Sequence, residues 1–356
     1  MTPDATLARL RDFMVGPTRF MNLLSCFELG LIDRLRESPG LTAAELGDAV
    51  GARPDAVEQL LLLPVKEGFV RYDSDSGQYR LDALAAVDPA DLGLPLAFMD
   101  MLKVVMLRQM FYLTDSVRSS KPVGLQKLYG FDGNLFGAVA EHEDLRTAWG
   151  RLAEIETARV YPWFFQNIDI PSGAQVLDVL GGTGLGSIMA YQTKASPGLH
   201  VTTFDRPENE DECLRNFKAH GVEEHCSFIG GDVLDSLPGG YDVVLLKHFL
   251  DMFDKDQVIT IFRNAARSLD IGGRVIILAP VYPEDLTDPD DYHVDFFPTF
   301  LLGCAIGFGG LQRLSTYRRW LEESGLTITN VIADDPAAVP PDAIIRRLIL
   351  TAEKTA

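Results

Sequence analysis

Beyond Pro171 the chain carries short apolar runs at intervals: AQVLDVL (174–180), LHVTTFD (199–205), CSFIGGD (226–232), YDVVLLK (241–247) and GRVIILAP (273–280). Each has strand length, and the segments between them are long enough for helices. Near-continuous apolar strands joined by such crossovers predict a parallel sheet covered on both faces, an α/β fold. RRLILTAEK (346–354) reads as a final strand. Before Pro171 the periodicity is different. FMNLLSCFELGLIDRL (20–35) and LAFMDMLKVVMLRQMFYL (96–113) place apolar residues three and four apart, the spacing of helices. A chain of 356 residues also exceeds what one core usually organises. The expected division is a mainly helical domain over 1–165 and an α/β domain over 166–356.

Within the first domain, Thr42 and Glu45 form a capping-box pattern before TAAELGDAV, and Pro54 stands where a second helix would begin. FVRYD and QYRLD, joined by Ser74 to Gly77, predict a two-stranded wing, so residues 41–82 read as a winged helix. Such a module suggests DNA binding. Yet Thr42 to Asp82 holds four Lys or Arg against eight Asp or Glu, and the whole chain carries a net charge of −19. That charge repels phosphate backbones and anionic lipid, so neither nucleic acid nor membrane is an expected partner. No unbroken apolar stretch of membrane-spanning length occurs, and the start MTPDATLARLRDF lacks the form of a targeting signal. Cys26, Cys213, Cys226 and Cys304 show no metal-site or dithiol spacing. A cytoplasmic location is expected.

VLDVLGGTGLGS (176–187) is an apolar strand running into a glycine turn that feeds a helix. Backbone there can approach a ligand at the carboxyl edge of the sheet. Alone, the pattern fits a nicotinamide-binding turn, or a tight turn without a ligand, nearly as well as anything else. Acids narrow the choice: Asp178 before the turn, Asp205 ending the second strand, and Gly231-Asp232 ending the third.

With these motifs in this order, the chain resembles the class I S-adenosylmethionine-dependent methyltransferases, in the small-molecule O-methyltransferase branch that carries a winged-helix dimerisation domain. The resemblance implies a Rossmann-like methyltransferase domain with a mostly parallel seven-stranded sheet, S-adenosylmethionine as cofactor, and a homodimer acting on a small molecule. Matched to that family, Gly181, Gly182 and Gly184 pass the methionine part of the cofactor. Asp205 takes the ribose hydroxyls, Asp232 and Val233 flank the adenine, and Lys247 marks the end of the fourth strand.

LLKHFLDMFDKD (245–256) covers the segment where the family places a histidine base that removes the proton of a phenol. Here His248 falls on an often aromatic position and Asp251 on the base; the supporting carboxylate after the fifth strand is replaced by Leu278-Ala279-Pro280, with Glu284 beyond. An ordinary aspartate, with a pKa near 3.9, lies about 6 units below a phenol, roughly 8 kcal/mol, against about 3.5 units for histidine. A thioether acceptor needs no base, because its sulfur attacks with a free lone pair. KHFLDMFDKD together with DFFPTFLLGCAIGFGGLQRLSTY also resembles the methylthiohydroxybutyrate S-methyltransferases of dimethylsulfoniopropionate synthesis. The resulting expectation is S-methylation of a thioether hydroxy acid. The alternatives are O- or C-methylation of a phenolic or keto-acid acceptor with Asp251 as base or metal ligand, and cofactor binding without methyl transfer. The expected acceptor residues are Tyr129, His142, Phe249, Tyr292, His293, Phe297, Gln312 and Arg313, with His248 and Asp251 at the reacting centre. No metal is expected.

Overall fold

In the computed structural model, which describes residues 2–285, 293–333 and 347–354, the chain forms two units, Met1–Leu102 and Lys103–Ala356. The capping box forms as the sequence predicts. The Thr42 hydroxyl accepts from the Glu45 amide, and the Glu45 carboxylate accepts from the Thr42 amide, opening the helix Ala43–Val50. Pro54 starts the helix Pro54–Lys66. Strands β1 (Leu41–Thr42), β2 (Val70–Asp73) and β3 (Gln78–Leu81) pair antiparallel in the order β1-β3-β2, completing the winged helix. Its core is Leu31, Leu35, Leu46, Val57, Leu61 and Val70. The first helix, Pro3–Glu28, leaves Leu7, Leu10, Phe13 and Met14 exposed.

The second unit is built on β4 (Gln175–Val179), β5 (His200–Asp205), β6 (Cys226–Gly230), β7 (Tyr241–Lys247), β8 (Leu269–Tyr282), β9 (Gln312–Arg313), β10 (Leu326–Ala333) and β11 (Arg347–Lys354). Seven of these run β10-β11-β8-β7-β4-β5-β6, and β9 adds to the end of β8. The block from β6 through β5, β4 and β7 to β8 is parallel, while β11 and β10 are antiparallel. Period-two alternation divides each strand between two cores. Leu177, Val179, Val244 and Leu246 face Phe262 and Trp320; Val176, Val243 and Leu245 face Phe164, Phe165 and Phe217.

The division between units falls earlier than residue 165. The helix Glu143–Asn167 packs on the helix Leu185–Lys194, and Leu113–Ser119 packs on His293–Cys304. Phe164, Phe165 and Ile168 are buried in the sheet's own core, so these helices belong to the second unit although their periodicity matches that of the first. All four cysteines are free and buried, and burial pushes the thiols up, to about 11 at Cys26 and Cys213 and about 12 at Cys226. No described helix is long and apolar enough to cross a membrane.

Candidate active site

The strand order reverses between β4 and β7: β4 is followed in sequence by its neighbour β5 on one side, and β7 lies on the other. In an open α/β sheet a ligand crevice forms beyond the carboxyl ends of strands at such a switch point. Both strands leave the sheet in the same unusual way. Leu180, just after β4, has φ 50°, and His248, just after β7, has φ 56°. Left-handed backbone at two non-glycine residues is strain of the kind that clusters at functional sites. Each is held by the neighbouring strand, the Leu180 amide donating to the Phe204 carbonyl at 2.7 Å and the His248 amide to Leu278 at 2.9 Å.

Beneath the glycine turn lies a buried ion pair. The Lys247 ammonium contacts the Asp178 carboxylate, which also accepts from the Ser187 hydroxyl at 3.1 Å, and it lies 5.4 Å from the centre of the Tyr161 ring. Burial pushes the lysine down, while the carboxylate in contact with it favours the charged form; an Asp178–Lys247 ion pair satisfies both groups. Gly186 makes room for the pair: a Cβ there would stand 2.7 Å from Asp178 Oδ2 and 2.9 Å from Lys247 Nζ. Asp178 and Lys247 thus lie under the glycine turn, and Gly186 joins them as a residue that the sequence did not single out.

Along the edge of the turn, Gly182 has φ 57° and an added Cβ would meet nothing within 4 Å, so open space lies against it. Asp205 Oδ2 accepts from the Gly182 amide at 2.6 Å, and Oδ1 accepts from the Arg206 amide at 2.7 Å and Asn209 Nδ2 at 2.9 Å. A carboxylate offers about four lone-pair sites, so Asp205 holds the turn and keeps limited capacity for a ligand hydroxyl. Gly181 abuts Thr203 and Asp178, and Gly184 abuts Cys213 and Phe217. Asp232 is exposed and accepts from the Leu234 amide at 2.8 Å; Val233 packs into the core. Gly182, Asp205 and Asp232 thus lie at or just beyond the carboxyl ends of three adjacent strands, β4, β5 and β6.

A cavity of about 460 Å³ continues from Lys247, His248, Asp251 and Met252 to a wall of Trp149, Leu152, Glu156 and Tyr161 on the helix Glu143–Asn167. Phe136, Phe297 and Arg347 also line it. Phe136 meets Trp149 edge-on at 5.6 Å, and Phe300 stacks behind Trp149 at 6.0 Å. Burial raises the Asp251 carboxyl to about 6. The His248 ring is pushed well below its ordinary range by burial, then by the nearby Arg347 and Lys247 charges, so it is neutral at pH 7; its Nε2 is buried without a hydrogen-bond partner. Gly309 fixes the backbone beneath, since a Cβ there would stand 2.4 Å from the Asp251 carbonyl oxygen.

Of the expected acceptor residues, Phe297 lines this cavity, together with His248 and Asp251. Phe249 is core, packed edge-on against Phe253 at 6.1 Å. The Tyr129 hydroxyl donates to Asp144 at 3.0 Å and accepts from Arg108 at 3.1 Å, and His142 leans on the Tyr129 ring at 4.7 Å, away from the cavity lining. Gln312 donates to the Gly310 carbonyl from β9, and Arg313 is exposed before the helix Leu314–Glu322. Glu284 caps that helix, accepting from the Ser315 amide and hydroxyl at 2.7 and 2.9 Å, so it is committed away from Asp251. Tyr292 lies outside the described residues, as does the side chain of His293. Among the described residues no group of three or more His, Cys, Asp or Glu is placed to hold a metal ion. Glu156 and Arg347 were not anticipated; they come from segments 191 residues apart, with no local pattern to mark them.

Comparison with known proteins follows the same geography. Residues 110–313 match the family described as an O-methyltransferase domain, and residues 12–87 the O-methyltransferase dimerisation domain. The mitomycin biosynthesis 6-O-methyltransferase of Streptomyces lavendulae is 28% identical over 333 residues, 90% of this chain and 88% of that one. The L-tyrosine C(3)-methyltransferase of the same organism is 25% identical over 267 residues, 74% and 72% of the two chains. Among solved structures, that of the mitomycin 7-O-methyltransferase MmcR superposes with a TM-score of 0.78 at 23% identity, covering 98% of each chain.

Proposed function

The chain belongs to the O-methyltransferase family, and from that membership we propose how it selects and activates its acceptor. It is an S-adenosylmethionine-dependent methyltransferase acting on a small molecule. The acceptor atom is the hydroxyl oxygen of an aromatic ring, and Asp251 is the base. The observation that carries this reading is an Asp251 carboxyl raised to about 6 by burial, facing a cavity walled by Phe136, Trp149 and Phe297.

The cofactor supplies an electrophilic methyl group on a sulfonium. Asp205 and Asp232 bind its nucleoside part, the turn Gly181–Gly184 gives it backbone clearance, and Asp178 with Lys247 holds that turn from below. The aromatic walls align the acceptor ring and exclude water. Transfer would break the methyl–sulfur bond, release the cofactor as a neutral thioether and form the methyl–oxygen bond, with the phenolic proton passing to Asp251. Raising the carboxyl to about 6 narrows the gap to a phenol to about 4 units, roughly 5 kcal/mol, against about 8 for an ordinary aspartate. Neutral His248 offers a second polar contact to the same oxygen without competing for the proton.

S-methylation of a thioether hydroxy acid gives way to this reading. The named relatives methylate oxygen or carbon, and a transfer to sulfur would leave a burial-tuned carboxylate without work. The winged helix and the exposed Leu7, Leu10, Phe13 and Met14 support a homodimer formed through the first unit. Incubation with S-adenosylmethionine and parallel panels of phenols and methylthio hydroxy acids tests the acceptor. Methyl ethers are expected, with a rate that rises through pH 6; sulfonium products with no ether would overturn it.

A further inference from the structure

One charged pair in the cavity has no part in the chemistry just described. Glu156, on the helix Glu143–Asn167, contacts Arg347 at the start of β11, and their side chains are only 18% and 11% exposed. The surrounding wall is Phe136, Val139, Trp149, Leu152 and Phe297. A buried ion pair among such residues is poor economy for stability alone, since apolar residues of similar size commonly do as well. Its placement inside the cavity gives it another use.

We propose that Arg347, oriented by Glu156, is the acceptor-selecting residue: it receives a carboxylate carried by an aromatic acceptor whose hydroxyl faces Asp251. The inference rests on the oxygen-acceptor reading above. Three observations carry it. Arg347 and Asp251 line one cavity, which therefore offers a cation and a base to a single ligand. The walls between are aromatic and aliphatic, suiting a planar body rather than a polyol. A volume of about 460 Å³ leaves room for an aromatic acid of one ring or a fused pair. A guanidinium matches a carboxylate through paired N–H donors, and it can be shared between Glu156 and an incoming anion. His248, kept neutral beside Arg347, adds no competing cation. Gln312 and Arg313, the sequence-based candidates for a carboxylate partner, sit on β9 and do not line the cavity.

The test uses 6-hydroxy-2-naphthoate and its methyl ester, which differ in charge and little in shape. Binding is measured by calorimetry with S-adenosylhomocysteine present, and turnover separately by mass. The wild type should bind the acid at least about tenfold tighter than the ester, as expected for a charge-assisted contact in a largely dry site. Arg347→Met should remove that preference by weakening the acid alone, Arg347→Lys should keep part of it, and Glu156→Gln should leave the acid preferred. Equal binding of acid and ester, no binding of the acid, or a preference that survives Arg347→Met would each overturn the proposal. Preferential binding of the acid with no ether formed from either compound would overturn the oxygen-acceptor reading and leave the anchor standing. Should Arg347→Met fail to fold, Arg347→Lys decides the matter, because an acid preference undiminished in Arg347→Lys would refute the part given to the guanidinium.

Discussion

Replacing Asp251 with asparagine should make the protein more stable and less active at once, and the pH dependence should show why. Burial raises this carboxyl from an ordinary 3.8 to about 6, so ionising it in the folded protein is unfavourable. Each unit corresponds to about 1.36 kcal/mol, giving roughly 3 kcal/mol as an upper bound, reduced because the residue is only partly buried. The sign follows from linkage. A raised acid loses nothing below its unfolded pKa, and the folded state pays an increasing penalty as pH climbs from about 4 towards about 6, with the full penalty above that. Asparagine has no proton to lose and escapes it. Asp251→Asn should therefore match the wild type near pH 4 and exceed it at pH 8 by about 1–3 kcal/mol, a Tm gain of roughly 2–10 °C for a unit of this size. Turnover on an aromatic hydroxyl should fall by about 10²–10⁴-fold, the usual range for a lost general base. The wild-type rise in kcat/KM centred near pH 6 should vanish in the variant. Thermal melts of both proteins at pH 4 and pH 8, with turnover measured from pH 5 to 9, check all of this. Parallel melts at both pH values would refute the buried-carboxylate account, and unchanged turnover with the pH 6 limb intact would refute the base.

Gly186→Ala should displace the Asp178–Lys247 pair and lower stability by about 2–4 kcal/mol, with weaker S-adenosylmethionine binding by calorimetry. Lys247→Met should be costlier, about 3–5 kcal/mol, because it leaves a buried carboxylate alone; adding Asp178→Asn should recover much of the loss in denaturant titrations. Asp205→Ala releases the Gly182 amide as well as any ribose contact, so cofactor affinity should fall at least about tenfold while acceptor binding holds. Glu284→Ala should lower the melting temperature slightly and leave turnover unchanged, since Glu284 caps a helix.

What could be read from the sequence was local or periodic. The Thr42–Glu45 capping box, Pro54 at a helix start and the strands around Val176 and Val243 carry their reasons within a few residues, and they form as expected. β10 was not legible: Leu326, Ile328 and Val331 fall among polar residues in a short run, and a bulge between Ile328 and Asn330 breaks the alternation. The cavity was harder. Asp251 was recognisable by its position, whereas its raised pKa depends on what buries it. Glu156 and Arg347 meet only because β11 runs beside β8 and the helix Glu143–Asn167 crosses the sheet's face. Tyr129 and His142 looked available because they are polar and aromatic; the structure commits them to Arg108, Asp144 and each other.

The buried cysteines turn the molecule into a set of clocks. Thiol reagents attack the thiolate, and burial holds these thiols protonated and out of reach, so each labels only when its surroundings open. Cys26 times the opening of the winged helix, and Cys304 that of the helix beside the cavity. Cys213 is the informative one. Its sulfur lies where a Cβ on Gly184 would intrude, at 2.6 Å, so its labelling follows the glycine turn itself. Saturating S-adenosylmethionine should slow that clock and leave the Cys26 clock running at its own rate, reading cofactor occupancy from unmodified protein without any reaction taking place.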